Sequence, residues 1–368
     1  MKTALIHDHL AQDGGAEKVL QTFLEMFPSS PIFTLLYDKE NIVKNYNGHD
    51  IQASIIQKLP GGVSHYKWYL PFMPMAVEFF DLRNYDVVIS DTSSFAKGVI
   101  TLPDTLHICY CHTPTRYLWS DTHQYLNELK YNKYIKKLIS LILTRLRMWD
   151  KTAADRVDYF IANSKTVQKR IKKYYRRDST VIYPPVDTDK FYISTGEKDY
   201  FLAGCRLAPY KRVDMVIEAF KSLGSDYKLK VFGDGIDKKR LEKIANGASN
   251  IEFLGRVTDE EKAKLYSNAK AYINPQEEDF GITAVESLAS GRPVIAYKKG
   301  GATETVSDGV SGLFFKKQTV SDLIEVIQSF SQYNFKPEEI RQEALKFSKA
   351  KFKEEISSFI EDCKNKHI

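Results

Sequence analysis

The 368-residue chain carries 53 Lys+Arg against 47 Asp+Glu, a formal net charge of +6 at pH 7, with 43% hydrophobic and 27% charged residues. That length exceeds one average core and predicts two domains of roughly 150–200 residues, and the balance excludes a disordered or fibrous chain. No run of about 18 apolar residues occurs, and Ala4-Leu5-Ile6 ends at His7-Asp8, too short for a secretory core, so a cytoplasmic protein without a spanning helix is expected.

Residues 1–187 hold 24 Lys+Arg and 19 Asp+Glu, so +5 of the +6 lies in the first half. That asymmetry favours an anionic partner there, such as acidic lipid or a phosphorylated acceptor. No nucleic-acid-binding motif accompanies it. Cys109, Cys111, Cys205 and Cys363 lack disulfide-framework spacing. Cys109-x-Cys111-His112 has half the look of a metal site, but LHICYCH alternates like a buried strand. No second Cys/His pair completes four ligands, and no metal is expected.

In chain order, residues 3–7 read as a first parallel strand. The turn from Asp8 to Gly15 follows, then a helix AEKVLQTFLEMF that stops before Pro28. A strand, a Gly14-Gly15 turn and a helix make a backbone able to approach a phosphate, although G-x-G-x-x-G is absent. Residues 31–37 and 51–56 are short strands. The proline-broken stretch SHYKWYLPFMPMAVEFFDL that begins at Ser64 has two readings, a core helix pair or an apolar lip for a lipid acceptor. Residues 86–90 form a strand, with Asp91-Thr92-Ser93-Ser94 as a polar turn capping the next helix. A strand over 106–111 delivers His112 to a loop at its C-terminal end, where ligands bind in open parallel sheets. From Tyr131 to Lys151 the apolar residues keep helical spacing among basic ones. Membrane-surface helix and core-packed helix both remain open for it. Strand 159–162, a cap at Asn163-Ser164 and helix 165–174 precede Pro184-Pro185, the expected hinge.

The second half opens with strand 200–204 and a helix over 213–223. Between them Arg206 and Lys211 are spaced to converge on one anion from a loop and a helix start. Strands over 229–233 and 251–254 lead to Gly255-Arg256-Val257, and helix 260–268 precedes a short strand ending at Ile273. Then comes NPQEEDFGITAVESLASG, residues 274–291. Glu278 lies on a turn and Glu286 lies eight residues on, in a helix starting near Gly281. A carboxylate is a bidentate acceptor suited to a vicinal diol, and the helix start offers unpaired N–H groups to an anion. Strand 293–296 ends at the turn Gly300-Gly301, with Glu304 just beyond. The chain from Phe347 onward reads as a charged helix.

EEDFGITAVE resembles the E-x7-E motif of the retaining GT-B glycosyltransferases of family 4. G-x-R-L-x-x-Y-K-R-x-D resembles that family's diphosphate clamp, with Arg206 and Lys211 at the matching positions. Gly300-Gly301-Ala302-Thr303-Glu304 resembles its G-G-x-x-E element near the donor phosphates. Gly14-Gly15 matches its glycine-rich first loop. CHTPTRYLW resembles a GDP-mannose-using subgroup, with His112 as the active-site histidine.

The resemblance implies an α/β chain of GT-B type, two Rossmann-like lobes facing a central cleft. The first lobe, residues 1–187 with the last helix (347–368) crossing back onto it, would bind the acceptor. The second, residues 188–346, would bind the nucleotide sugar. It also implies metal-independent transfer with retention, in which Arg206 and Lys211 stabilise the leaving diphosphate and Glu278 orients donor-sugar hydroxyls. Glu286 would hold the ribose, and the backbone of Phe280, Gly281 and Ile282 would contact sugar or phosphate. Gly255, Arg256 and Val257 would line the base, and His112 would touch the sugar. A lipid-linked saccharide acceptor at the inner face of the plasma membrane completes the expectation. A UDP- or dTDP-sugar donor, a sugar-nucleotide epimerase and a non-catalytic nucleotide-sugar binder remain as alternatives. A hydrolase using the two glutamates would leave the Arg206/Lys211 pair without a role.

Overall fold

The computed structural model describes residues 1–11, 14–129, 131–196 and 198–367; Gln12, Asp13, Lys130, Glu197 and Ile368 lie outside the described residues, the first two in the predicted Gly14-Gly15 turn and Lys130 at the edge of the basic stretch. The chain divides into two compact units, residues 1–183 with 353–368, and residues 184–352.

The first unit is built on seven parallel strands: β1 (Thr3–His7), β2 (Ile32–Thr34), β3 (Ile51–Ala53), β4 (Val87–Thr92), β5 (Leu106–Cys111), β6 (Tyr159–Ala162) and β7 (Ser179–Val181). Their order is β3-β2-β1-β4-β5-β6-β7, so the winding reverses between β1 and β4. β1, β4 and β5 are buried along their whole length, as apolar runs without alternation dictate for a doubly covered parallel sheet. The last helix, Lys349–His367, places its residues from Lys353 onward in this unit. There Lys353 pairs with Glu25 at 2.7 Å and Phe359 meets Tyr159 edge-on.

The second unit repeats the plan with β8 (Tyr200–Gly204), β9 (Lys228–Phe232), β10 (Ile251–Gly255), β11 (Ala269–Asn274), β12 (Val294–Tyr297) and β13 (Gly312–Phe315). The order β10-β9-β8-β11-β12-β13 reverses between β8 and β11. Helix Val213–Leu223 buries Val213, Val216, Ile217 and Phe220 into its core at the helical i, i+3, i+4, i+7 spacing. Both units are Rossmann-like, and the fold class read from the sequence is the one found.

Three local readings are corrected. Asp91 and Thr92 are not a turn; they are the last two residues of β4. The cap beyond them is Asp8, whose carboxylate accepts from the backbone N–H groups of Ser93, Phe95 and Ala96 and from the Thr92 hydroxyl, at 2.7–2.9 Å. Strands over 31–37 and 51–56 shrink to three residues each, and 3-10 helix Ile55–Lys58 takes the end of the second. The aromatic stretch is a proline-broken helix pair of which only the second member is a core α-helix: the first is a 3-10 helix, Tyr66–Phe72, that holds Pro71 and fully buries no side chain, and the second is helix Met73–Glu78 with Pro74 in its first turn, where a missing N–H costs nothing.

One buried carboxylate organises the loop that follows β5. Asp150, on helix Lys133–Asp155, accepts from the Lys97 ammonium (2.6 Å), the Thr115 hydroxyl (3.0 Å), the Trp119 indole (2.7 Å) and the Tyr175 hydroxyl (2.8 Å). Burial works against charge on Lys97, but the Asp150 carboxylate outweighs it and raises the Lys97 pKa. Removing one partner leaves the other charged group buried and unpaired, which costs about 3–5 kcal/mol. Asp150→Ala is therefore expected to lower the thermal midpoint of the first unit by about 10 °C, measured by near-UV circular dichroism. An unchanged midpoint would show that the network contributes nothing.

Candidate active site

In open parallel sheets the carboxyl edge at the order reversal leaves a crevice, because neighbouring connections leave on opposite faces. Each unit carries some of its predicted site residues beside that place.

In the second unit, β8 leads to Arg206 and Lys211, and β11 leads to the Asn274–Gly281 turn. The Lys211 ammonium is hydrogen-bonded to the Glu278 carboxylate, with the two side chains 13% and 18% exposed. Two residues read from separate motifs are thus a pair. Arg206 is exposed and bonds the Tyr210 hydroxyl at 3.1 Å. Gly281 takes φ +93° as N-cap of helix Ile282–Ala289, and a Cβ on it would come within 3.3 Å of a Glu278 carboxylate oxygen. The Gly300-Gly301 turn packs on the same backbone. Gly301 N–H donates to the Glu278 carbonyl at 2.8 Å, and a Cβ on Gly300 would stand 2.3 Å from that carbonyl oxygen. Only glycine permits this approach at Gly300's φ of +65°. Phe280 is buried edge-on to Phe347. Glu304 follows half-buried in the short helix Ala302–Thr305.

Glu286 is buried and holds the Lys262 ammonium at 2.8 Å and the Tyr266 hydroxyl at 3.4 Å. Lys262 carried no signal in the sequence, since nothing in spacing links it to a helix 24 residues on. Gly255, with φ +69°, accepts from Gly233 N–H at 2.7 Å. It ends the edge strand β10, separated from β11 by β9 and β8, with Arg256 exposed and Val257 half-buried. These three are therefore not in the Glu278 cluster. Beside that cluster, Asn274 Oδ1 and Gln276 Nε2 are buried without a partner, an unsatisfied polarity that needs an explanation in a native structure.

In the first unit, parallel register sets His7 of β1 beside Asp91 of β4. The Asp91 carboxylate lies 2.9 Å from His7 Nδ1 and 2.6 Å from His112 Nε2. Glu17, in the first turn of helix Gly15–Met26, brings an oxygen within 3.9 Å of His7 Nε2. A Cβ on Gly14 would come within 3.0 Å of the other Glu17 oxygen. The Gly14-Gly15 turn thus already faces a carboxylate of its own chain. Burial alone would discharge His7, but the Asp91 hydrogen bond and the Asp91 and Glu17 charges outweigh it and hold its pKa at about 10. Burial opposes charge on Asp91 and Glu17 too, yet the imidazoles around them leave both below the usual carboxylate range. His7 and Glu17 were not singled out from the sequence, and Asp91 was read only as part of a capping turn. The usable signal was an ionisable residue at the carboxyl end of each of two buried strands.

Residues 14–190 match the family described as Glycosyltransferase Family 4, and residues 187–347 match Glycosyl transferases group 1. Between them, these two matches to glycosyltransferase families span residues 14–347. An uncharacterised glycosyltransferase of Methanocaldococcus jannaschii, MJ1178, is 34% identical over 184 residues, 49% of this chain and 52% of that protein. The alpha-1,3/1,6-mannosyltransferase ALG2 of Dictyostelium discoideum is 26% identical over 289 residues, 66% of each. The chain spans between about half and two thirds of the length of these relatives. Among solved structures, Anabaena Alr3699/HepE in complex with UDP and glucose superimposes with TM-score 0.72 at 18% identity, over 98% of this chain and 99% of that one. That likeness shows the GT-B fold.

Because His7 is held protonated in the folded state, its contribution to stability is complete below its unfolded value near 6.5 and is lost as pH rises toward 10. Between pH 7 and 9 the first unit is expected to lose up to about 1.4 kcal/mol per pH unit that His7→Gln does not lose. Urea unfolding across that range measures the gap. A constant gap would mean that His7 is neutral.

Proposed function

We propose that this chain is a retaining hexosyltransferase that moves mannose from GDP-mannose to a lipid-linked saccharide acceptor in bacterial surface polysaccharide assembly (O-antigen, capsule or exopolysaccharide). The observation that carries the reading is the Lys211–Glu278 pair seated on the Gly281 and Gly300-Gly301 backbone at the second sheet's order reversal. A diphosphate brings two negative charges and competes for Lys211. Drawing the ammonium away frees both Glu278 oxygens for hydroxyls of the donor sugar. Lys211 and Arg206 then compensate the charge that builds on the leaving diphosphate, the role a metal ion plays elsewhere. The bond from the anomeric carbon to phosphate breaks, the acceptor oxygen bonds to that carbon on the same face, and its proton passes to the departing phosphate. Glu286, beside Lys262 and Tyr266, is the carboxylate that takes the ribose hydroxyls, a role that rests on family likeness. His112 contacts a sugar hydroxyl, a role that rests on family likeness, as does acceptor binding by the first unit.

The mannose reading draws support from the CHTPTRYLW stretch and from likeness to the ALG2 mannosyltransferase. A UDP-sugar donor is the second reading, favoured by the UDP held in the Anabaena neighbour. Thermal shift with GDP-mannose and with UDP, dTDP and ADP sugars, without added metal, separates them. Selective stabilisation by a UDP sugar would overturn the mannosyl assignment. Lys211→Ala is expected to lower kcat on the stabilising donor by roughly 10²–10³-fold, measured as release of nucleoside diphosphate. An undiminished kcat would remove Lys211 from the mechanism.

A membrane-borne acceptor fits the surface of the first unit. Along helix Lys133–Asp155, Tyr134, Leu138, Leu141 and Met148 are exposed, 59–73% of each, interleaved with Lys133, Lys137 and Arg145. Trp68, Phe72 and Phe79 are exposed as well, and the segments that carry them share a core cluster with this helix through Tyr66, Leu70, Phe80, Ile139 and Ile142. Exposed apolar side chains among cations suit the interface of an anionic bilayer. No helix among the described residues is long and apolar enough to cross one. Leu138→Ser/Leu141→Ser is expected to weaken co-sedimentation with phosphatidylglycerol-containing vesicles by tenfold or more, at about 1.5–3 kcal/mol for each buried leucine. Equal sedimentation would assign the helix another partner.

A further inference from the structure

The chain Glu17–His7–Asp91–His112 links four ionisable side chains, and family likeness supplies a role for only the last. An ionised carboxylate accepts hydrogen bonds and donates none. Asp91 has one imidazole nitrogen on each oxygen, His7 Nδ1 at 2.9 Å and His112 Nε2 at 2.6 Å, so both nitrogens carry hydrogen. His7 is 3% exposed and Asp91 1%, which keeps water from substituting for either partner. Glu17 faces the far side of His7, and the absence of a side chain on Gly14 gives its carboxylate room. His112 is 11% exposed, and its ring stands edge-on to Tyr110 at 5.3 Å, so its orientation is set on two sides. The tautomer of a neutral imidazole follows from the bond its other nitrogen makes.

We propose that Asp91 is a positioning residue that fixes His112 in the Nε2–H tautomer and thereby offers Nδ1 as an acceptor to a substrate hydroxyl, with His7 and Glu17 holding Asp91 in place. The assignment deepens the transferase reading, in which His112 meets the sugar. In consequence His112 accepts a hydrogen bond from the sugar and does not donate one, and Asp91 and His7 never touch substrate.

The test is a long-range ¹H–¹⁵N spectrum of the full chain labelled with ¹⁵N-histidine at pH 8, with His112 assigned through His112→Gln. The expected spectrum shows His112 protonated at Nε2 and bare at Nδ1. In Asp91→Asn one oxygen is replaced by an NH2 donor, so one imidazole must turn or change tautomer. The His112 signals are expected to move, and kcat on the nucleotide sugar to fall about tenfold or more, the scale of losing an orienting partner, while KM changes less than threefold. Asp91→Glu, which keeps both acceptor oxygens, is expected to recover part of kcat. An Nδ1–H or doubly protonated His112 in the unaltered protein would overturn the assignment whatever the variants do, and whether or not Asp91→Asn folds. An Asp91→Asn protein with unchanged His112 signals and kcat would overturn it as well. A protein with the expected tautomer that turns over no sugar nucleotide would keep the positioning role and refute only the transferase reading.

Discussion

Charge at the candidate site of each unit is tolerated only because its buried charged groups have partners brought together by the parallel sheet. An isolated carboxylate or ammonium in a core loses far more solvation than one hydrogen bond returns. Here β1 and β4 run side by side, so His7 and Asp91 are neighbours by register and not by flexible reach. In the second unit the same geometry brings the loop after β8 to the turn after β11, where Lys211 meets Glu278. The order reversal supplies the space, and the pairing makes it tolerable to fill that space with charge.

Two buried histidines of the first sheet show how far partners decide the outcome. His107 on β5 is as buried as His7, and its Nε2 meets only the Ser90 hydroxyl at 2.9 Å. Burial, with the Arg156 cation adding to it, drives the pKa of His107 down to about 3. His7, between two carboxylates, moves the other way to about 10. The first is a neutral filler of a core, and the second is a fixed cation that orders the residues around it. Asp150 is a third case: four donors satisfy it completely, and it anchors the Thr115–Trp119 loop after His112 without facing a ligand.

Glycines do complementary work in the second unit. Gly300 and Gly301 let one turn lie directly on the Glu278–Phe280 backbone, and a side chain at either would collide with it. The site is therefore shaped by close backbone approach as much as by side chains. Residues of three short motifs far apart in the chain, Lys211, Glu278 and Gly300-Gly301, meet there.

Most of the architecture was legible in the chain itself. Apolar runs bounded by glycine and proline mark buried parallel strands, and helical spacing marks what covers them, because burial on two faces demands those patterns locally. Arg206, Lys211, Glu278, Glu286 and Gly300-Gly301 could be picked out for the same reason: their chemistry is written in contiguous motifs. Strand register and order are long-range facts, and they decided the rest. That Lys211 pairs with Glu278, that Lys262 holds Glu286, and that Asp91 joins His7 to His112 depends on neighbours 21 to 84 positions apart. No local pattern encodes such contacts. Asp91 read as a turn residue because its polarity suits a loop, and only a partner on the adjacent strand makes a buried carboxylate at the end of β4 stable.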